Sequence, residues 1–446
     1  MVLLSIFKQY DIRGVYPKEI NEKIFYKLAK ACSKYFEGKT ALIGCDGRLS
    51  SLNLKNSVIQ ALLDDGIEVY DVGLVSTSTF NFLISLKKFD FGIQITASHN
   101  PKDYNGMKIY DNNGNSIGLG FGLEKIKEIF ENEKFNRNKI GGKLVNGDFL
   151  KKLHIDFLIK KAVKSDVKFA LDFSNGVGSI VLKEVLNNNY NFISINEKID
   201  GNFPSHSPEP SEESLSELRN IVKIKNLDFG ACFDGDADRI VFVDDKGNVI
   251  RGDQILYLFS YHLNAKKIVC EVSFPPKFSK FLKSLGKEIY ETKVGRTFII
   301  NKMREVDADV GGEISSHFYF KETNFMEDAF YSLLILISIL EKEKKKLSEV
   351  LKDYTLGKFI NYKIEVDEDK KYTIIEKLKD NFRKDYEVLE IDGIKVIISD
   401  EDWFLIRASN TEPVIRIYIE SLEEKKIEEY RKIIDNYIKS FASNLK

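Results

Sequence analysis

Apolar residues recur along this chain at two periods that alternate with each other. Ile20, Ile24, Leu28, Ala31 and Tyr35 fall at the spacing of one helical face, and Gly38 follows as a stop signal. Short apolar runs of strand length come next: ALIGCD at 41–46, IEVYDVG at 67–73 and FGIQIT at 91–96, with a helical stretch at 51–66 between the first two. Strands and helices alternating at this interval predict an α/β unit with a largely parallel sheet. Such sheets place ligands at the carboxyl ends of their strands, so the residues just past FGIQIT, Ser98 and His99 among them, are where chemistry is expected.

A second α/β run opens with VKFALDFSNGVGS at 167–179, after a charged helical stretch around FLKKLHIDFLIKKAVK. A third opens with KIVCEVS at 267–273 and KEIYETKVG at 287–295, and the turn DDKGN at 244–248 reads as the boundary between the two. The pattern then changes: KYTIIEKLKDNF is helical, YEVLEI, IKVIIS, WFLIRAS and VIRIYIES are strands, and an amphipathic helix closes the chain. Strands gathered before a terminal helix predict a separate α+β domain. No short-period repeat is visible, but three successive α/β units leave room for a structural repeat.

Composition narrows the classes. A chain of 446 residues has room for about three domains on length alone, and 43% hydrophobic with 30% charged residues is ordinary for a globular protein. The net charge of −1 argues against a general nucleic-acid binder, so an anionic ligand would need local cationic clusters. Cys32, Cys45, Cys232 and Cys270 lie far apart with no C-x-x-C pair, which reads as buried thiols of a cytoplasmic protein. The amino terminus has no basic leader and too short an apolar run for a signal peptide. The apolar AFYSLLILISIL at 329–340 is too short for a bilayer and reads as a buried helix.

The sharpest chemical signal is CFDGDADRIVFVDDKG at 232–247. Asp234, Asp236 and Asp238 occupy alternate positions after an apolar strand, so three carboxylates point one way and converge on a hard divalent cation. An EF-hand would need glycine where Arg239 stands; a solvated acidic turn is the plainer alternative. In IRASNTEPVIRIY at 406–418, Arg407, Ser409, Asn410 and Thr411 share one loop, with Arg416 beyond it. A guanidinium fork, hydroxyls and an amide suit a phosphate, against the alternative of a polar turn. Arg13, Arg48 and Arg239 are further anion-binding candidates, each alone read as readily as a salt-bridge partner. GGEISSHFYFKE at 311–322 offers Glu313, Ser315 and His317 at alternate positions for sugar hydroxyls. With Lys108 ten residues on and no hydrolase triad nearby, Ser98 reads as a phosphoryl carrier rather than an acyl nucleophile.

YDIRG, TASHNP, DGNFPSHSPEP, FDGDADR, GEISSH and RASNTEP occur in this order across nearly the whole chain. Together they resemble the α-D-phosphohexomutase superfamily, within it the phosphomannomutase/phosphoglucomutase group. The resemblance implies three similar α/β mixed-sheet domains at 1–146, 147–246 and 247–355. It further implies a C-terminal α+β domain at 356–446 resembling the TATA-box-binding-protein fold, all around a central cleft. It implies that Ser98 is a phosphoserine whose phosphate joins Asp234, Asp236 and Asp238 around Mg2+. Arg13, Lys108 and His317, with His99 beside the serine, become catalytic candidates. Lys293, Glu313, Ser315 and Arg239 become substrate contacts, and Arg407, Ser409, Asn410, Thr411 and Arg416 the grip on the phosphate that is not transferred.

The implied reaction moves a phosphoryl group between C1 and C6 of a hexose phosphate through a 1,6-bisphosphate, with glucose 1,6-bisphosphate or mannose 1,6-bisphosphate as activator. Ile314 and His317 in the sugar loop are similar to the mannose/glucose group. The expected partners are small-molecule hexose phosphates, with no nucleic acid, membrane or obligate protein partner, in a monomer or homodimer. Three departures stand out: Ser316 where the family has glycine, Arg296 where histidine is common, and VSTSTF at 75–80 without its prolines. The competing readings are a phosphoglucosamine mutase, a non-catalytic sugar-phosphate binder, and a haloacid-dehalogenase-type phosphatase with Asp234 as nucleophile. Asp238 stands where that last class carries threonine or serine.

Overall fold

The computed structural model describes residues 6–86, 88–135, 141–186, 190–354, 356–409 and 413–443. They form four sheets in two compact units: Met1–Gly252 with Ser315–Val350, and Asp253–Ile314 with Leu351–Lys446.

In the first unit the first sheet holds β1 (Ile12–Val15), β2 (Thr40–Cys45), β3 (Glu68–Leu74), β4 (Phe91–Ile95), β5 (Tyr104–Asp111) and β6 (Lys143–Asn146). Its spatial order is β1-β5-β4-β2-β3-β6. The central strands are parallel, but β5 runs antiparallel to β4 and β1 antiparallel to β5, so the sheet is mixed. The helix Glu22–Phe36 buries Phe25, Leu28 and Ala31 at helical spacing against this sheet, and its cap Asn21 accepts the Ile24 amide.

The second sheet holds β7 (Lys168–Asp172), β8 (Asn191–Ile195), β9 (Phe229–Phe233), β10 (Ile240–Asp244) and β11 (Val249–Ile250), in the order β11-β10-β9-β7-β8. The turn at 244–248 closes the β10–β11 hairpin inside this sheet, because Phe242 faces Ile250 and Val243 faces Val249. In the second unit β12 (Lys267–Glu271) lies parallel to both β13 (Glu288–Thr292) and β14 (Val310–Gly312). The expected repeat is visible in the strand orders 3-2-4, 8-7-9 and 13-12-14. In each, the first strand of the trio sits between the second and the third.

The chain then rejoins the first unit for β15 (Phe318–Phe320) and the apolar helix Ala329–Glu343. Every residue from Ala329 to Ile337 in that helix is buried, as its sequence predicts. Asp328 caps it by accepting from the Phe330 and Tyr331 amides at 3.0 Å. Among the described residues no helix is long and apolar enough to cross a membrane.

The fourth sheet returns the chain to the second unit with β16 (Lys358–Glu365), β17 (Glu387–Leu389), β18 (Ile394–Ile397), β19 (Trp403–Ala408) and β20 (Val414–Ser421). It is antiparallel throughout, in the order β16-β20-β19-β18-β17. The helices Lys371–Phe382 and Glu424–Ser443 cover one face, where Ile406, Ile415, Ile417 and Ile419 form the core. Trp403, Leu405 and Tyr418 leave the other face and cluster with Val272, just past β12.

Candidate functional site

Three loops of the first unit meet at one point. Ser98 lies three residues past β4, Asp234 immediately past β9, and His317 immediately before β15. The Ser98 hydroxyl donates to Asp234 Oδ2 at 2.8 Å and lies 3.3 Å from His99 Nδ1. Its backbone is left-handed, φ 50°, a conformation that costs a non-glycine residue about 1–2 kcal/mol. Gly235 is required beside it, since a Cβ there would stand 2.9 Å from the Ser98 carbonyl oxygen.

The three aspartates are all buried, and each offers an oxygen within 4.8 Å of the others. Asp234 Oδ1 accepts the amides of Asp238 and Arg239, both at 3.2 Å. Asp236 Oδ2 accepts from Lys108 Nζ at 2.8 Å and from the hydroxyls of Thr77 at 2.7 Å and Thr96 at 3.1 Å. Lys108 also reaches Asp238 Oδ2 at 2.7 Å. Burial, then the charges of Asp238 and Asp236, push Asp234 well above the usual carboxylate range. Burial acts in the same direction on Asp238, but Lys108 and then His317 outweigh it and hold Asp238 well below that range. Asp236 Oδ1 is buried with no hydrogen-bond donor. An orphaned carboxylate oxygen in a cluster with one raised member fits a hard divalent cation.

Around this centre, Arg13 is held by Asp11 at 2.8–3.0 Å and donates to Asn100 Oδ1 and the Ala97 carbonyl. His317 Nε2 lies 3.3 Å from both Asp238 Oδ1 and Arg239 Nε, and its Nδ1 lies 3.0 Å from the Ser315 hydroxyl. Arg239, then burial, then Arg13 hold His99 well below the usual histidine range, so its imidazole is neutral near pH 7. Ser316 takes φ 68°, so serine holds the left-handed backbone expected of the family's glycine. In VSTSTF, hydrogen bonds do the work of the missing prolines. Ser76 caps the helix Thr77–Ser85, the Thr77 amide reaches the Asp236 carbonyl at 2.7 Å, and the Ser78 hydroxyl reaches that of Ala237 at 2.7 Å.

The second unit carries the other candidates. Arg407 on β19 stands directly opposite Arg416 on β20, which stands opposite Lys363 on β16. Facing residues share one side of a sheet, so three cations form a row suited to a dianion. Arg407 Nε donates to Asp392 Oδ2 at 2.9 Å, and the same oxygen takes the Val294 amide at 3.3 Å. Ser409 is buried, and its carbonyl accepts from Lys371 Nζ at 2.8 Å. Asn410 and Thr411 lie outside the described residues. Lys293 is exposed on the loop after β13, its Nζ 5.9 Å from the Phe298 ring centroid.

Glu313, just past β14, is buried near Glu271 at the end of β12. Glu271 Oε1 accepts the Ile314 amide at 3.0 Å and the Ser273 hydroxyl, while Oε2 is buried without a donor. Burial, then Glu313, push Glu271 up to about 7. An unfolded glutamate titrates at about 4.3, so between about 4.3 and 7 the unfolded chain gives up its proton first. Stability falls with rising pH across that window and levels above it. Glu271→Gln keeps an acceptor for Ile314 and removes the titration. The variant is expected to flatten this slope and gain roughly 1–3 kcal/mol over the parent at pH 8. Urea unfolding at several pH values checks this, and an unchanged slope contradicts it.

Sequence motifs singled out Ser98 and the aspartates but missed Thr77, Asp392, Glu271 and Lys363. Lys363 had a readable signal, since Ile360, Tyr362 and Ile364 alternate around it as a strand requires. Asp392 and Glu271 had none, because their partners lie far away in the sequence.

Comparison with known proteins adds a second line of argument. The four domain models of phosphoglucomutase/phosphomannomutase match in order: alpha/beta/alpha domain I at residues 4–137, domain II at 148–247, domain III at 251–356 and the C-terminal domain at 362–436. A phosphomannomutase of Methanocaldococcus jannaschii is 36% identical over 456 residues, covering 99% of each chain. A probable phosphoglucosamine mutase of Methanococcoides burtonii is 30% identical, covering 94% of this chain and 96% of its own. Among solved structures, a phosphoglucomutase/phosphomannomutase family protein of Burkholderia thailandensis superposes with a TM-score of 0.90 at 26% identity. It covers 99% of this chain and 98% of its own.

Proposed function

The chain belongs to the phosphoglucomutase/phosphomannomutase family, and we propose that it interconverts the 1- and 6-phosphates of mannose or glucose by passing a phosphoryl group through Ser98. The observation that carries this reading is the Ser98 hydroxyl, 2.8 Å from the first of three buried, converging aspartates. A hydrolase of the haloacid-dehalogenase kind would use Asp234 as its nucleophile, but both oxygens of that carboxylate are engaged, one by the Ser98 hydroxyl and the other by the amides of Asp238 and Arg239.

Phospho-Ser98 gives its phosphoryl group to the free hydroxyl of a hexose phosphate: the P–Oγ bond breaks as the sugar oxygen bonds to phosphorus. The resulting 1,6-bisphosphate reverses end for end, and its other phosphoryl group returns to Ser98. Asp234, Asp236 and Asp238, with the phosphate on Ser98, would hold Mg2+, which when bound neutralises charge on the transferring group. Arg13, tied to the loop just before and after Ser98, supplies a fixed cation beside the phosphoserine. Lys108 keeps Asp236 and Asp238 ionised. His317, between Arg239 and Asp238, is the group we assign to moving the sugar hydroxyl's proton; His99 Nδ1 lies beside the Ser98 hydroxyl. Glu313, Ser315 and Lys293 are assigned to the sugar. The row of Arg407 and Arg416, with Ser409, Asn410 and Thr411, is assigned to the phosphate that stays.

Glucose 1,6-bisphosphate or mannose 1,6-bisphosphate would load Ser98 at the outset. The four free, buried cysteines support a cytoplasmic setting. The test is a coupled assay with mannose 1-phosphate, glucose 1-phosphate and glucosamine 1-phosphate, magnesium, and a trace of glucose 1,6-bisphosphate. We expect 6-phosphate from the first two, lost on chelation. Turnover of the glucosamine ester alone would overturn the sugar assignment, and no turnover of any would overturn the mutase.

A further inference from the structure

Arg48 lies in the loop after β2 and was a candidate for anion binding, but the structure gives it other work. It is 3% exposed, and its Nε donates to Asp46 Oδ2 at 3.2 Å. Nη1 donates to the carbonyls of Pro101 at 2.7 Å and Tyr104 at 3.0 Å. Nη2 donates to those of Ser98 at 2.7 Å and Asn100 at 2.6 Å. A guanidinium has five N–H groups, and these five contacts use them all, leaving none for a phosphate.

Four carbonyl dipoles aimed at one point repel one another unless a cation stands among them. A planar fork can answer all four together with the carboxylate, whereas an ammonium has three donors on a flexible stem. Below the fork lies Phe203 from the DGNFPSHSPEP segment, its ring centroid 5.1 Å from Arg48 Cζ. That segment is seated by backbone contact: a Cβ on Gly201 would come within 2.5 Å of the Leu49 amide nitrogen and 2.7 Å of the Gly47 oxygen. Asp46 closes the arrangement. It accepts the Arg48 amide at 3.0 Å and lies 2.8 Å from Thr96 Oγ1, which takes the Ser98 amide at 2.9 Å.

Resting on the assignment of Ser98 as phosphoryl carrier, we propose that Arg48, backed by Phe203, is a positioning residue that fixes the carbonyls of 98–104. In doing so it holds the left-handed backbone and the aim of the Ser98 hydroxyl. This gives the DGNFPSHSPEP segment a role beyond family likeness. It joins the second sheet's surroundings to the reactive loop of the first.

Steady-state kinetics and amide hydrogen exchange on Arg48→Lys, Arg48→Ala and Phe203→Leu test the proposal. Arg48→Lys should lower kcat about 100-fold with KM held within about twofold, since misplacing the reacting group costs turnover rather than binding. Exchange should quicken at 98–106 and stay as in the parent elsewhere. Methylguanidinium below denaturing concentration should restore part of the turnover of Arg48→Ala, where matched urea does not. Phe203→Leu should cost about tenfold alone and less than that on top of Arg48→Lys, because the two act through one contact.

Should Arg48→Ala not fold, the other two variants decide. Parent-like kcat and exchange in Arg48→Lys overturn the proposal, as does a raised KM at constant kcat, which would make Arg48 a ligand group. A parent enzyme without turnover would instead sink the assignment of Ser98, and loop exchange would still judge Arg48.

Discussion

Ser98→Ala is expected to lower turnover by at least about 10³-fold while leaving hexose-phosphate binding within a few-fold of the parent. The asymmetry follows from how little else the hydroxyl does. Its one strong bond is to Asp234 Oδ2, and Asp234 keeps the amides of Asp238 and Arg239 on its other oxygen. Alanine meets the same left-handed backbone that serine already holds, so the change in stability is about 1 kcal/mol, the size of one hydrogen bond. Titration calorimetry with the sugar phosphate should therefore give a near-parent affinity alongside absent turnover. Intact mass after incubation with glucose 1,6-bisphosphate should show one added phosphoryl group in the parent and none in the variant. Retained turnover, or a phosphoryl group still acquired, would remove Ser98 from the chemistry.

The second large effect belongs to Asp236→Ala, which acts on stability and on the response to magnesium together. Deleting this carboxylate takes one of two carboxylate contacts at 2.7–2.8 Å from Lys108 and strips an acceptor from Thr77 and Thr96. Leaving a buried charge wholly unpaired costs about 3–5 kcal/mol, and because Lys108 keeps Asp238 the loss here falls below that range. One term opposes this: Asp236 is among the charges that raise Asp234, so its loss eases that neighbour. The ammonium and two hydroxyls outweigh one relieved carboxyl, and the net sign is destabilising. In the parent, magnesium should raise the unfolding midpoint by mass action, because it binds the folded state. In the variant that rise should vanish along with most of the activity. A magnesium response equal to the parent's would show that the ion is held without Asp236.

How much of this was legible in the sequence depended on how local each function is. Three aspartates in alternation after an apolar strand declare themselves within five residues, and Ser98 is placed by a strand end. The α/β alternation likewise gave the first three sheets their central strands. The edge strand β16 offered only the alternation of Ile360, Tyr362 and Ile364, since none of its residues is fully buried and it lacks the continuous apolar run of the central strands. Arg48 was visible as a residue but not as a structural device, since its partners are main-chain carbonyls about fifty positions away. Asp392 is the same kind of case: its grip on Arg407 and Val294 exists only once a strand and a loop are folded together. Ser316, where the family has glycine, takes φ 68°, a conformation that no sequence pattern around it announces.

The recurring strand order has a brace in each copy. A polar side chain at or just after the first strand reaches the end of the third or the segment that follows it: Asp46 to Thr96, Ser174 to the Phe233 carbonyl at 2.6 Å, and Glu271 to the Ile314 amide. The three braced segments lead to three different groups, the Ser98 hydroxyl, the aspartate cluster and the Glu313 carboxylate. In each copy the bracing side chain and the group it supports are different residues. On the assignments proposed above, altering the sugar that is recognised takes a change in one loop, with the carrier and the cradle left on braces of their own.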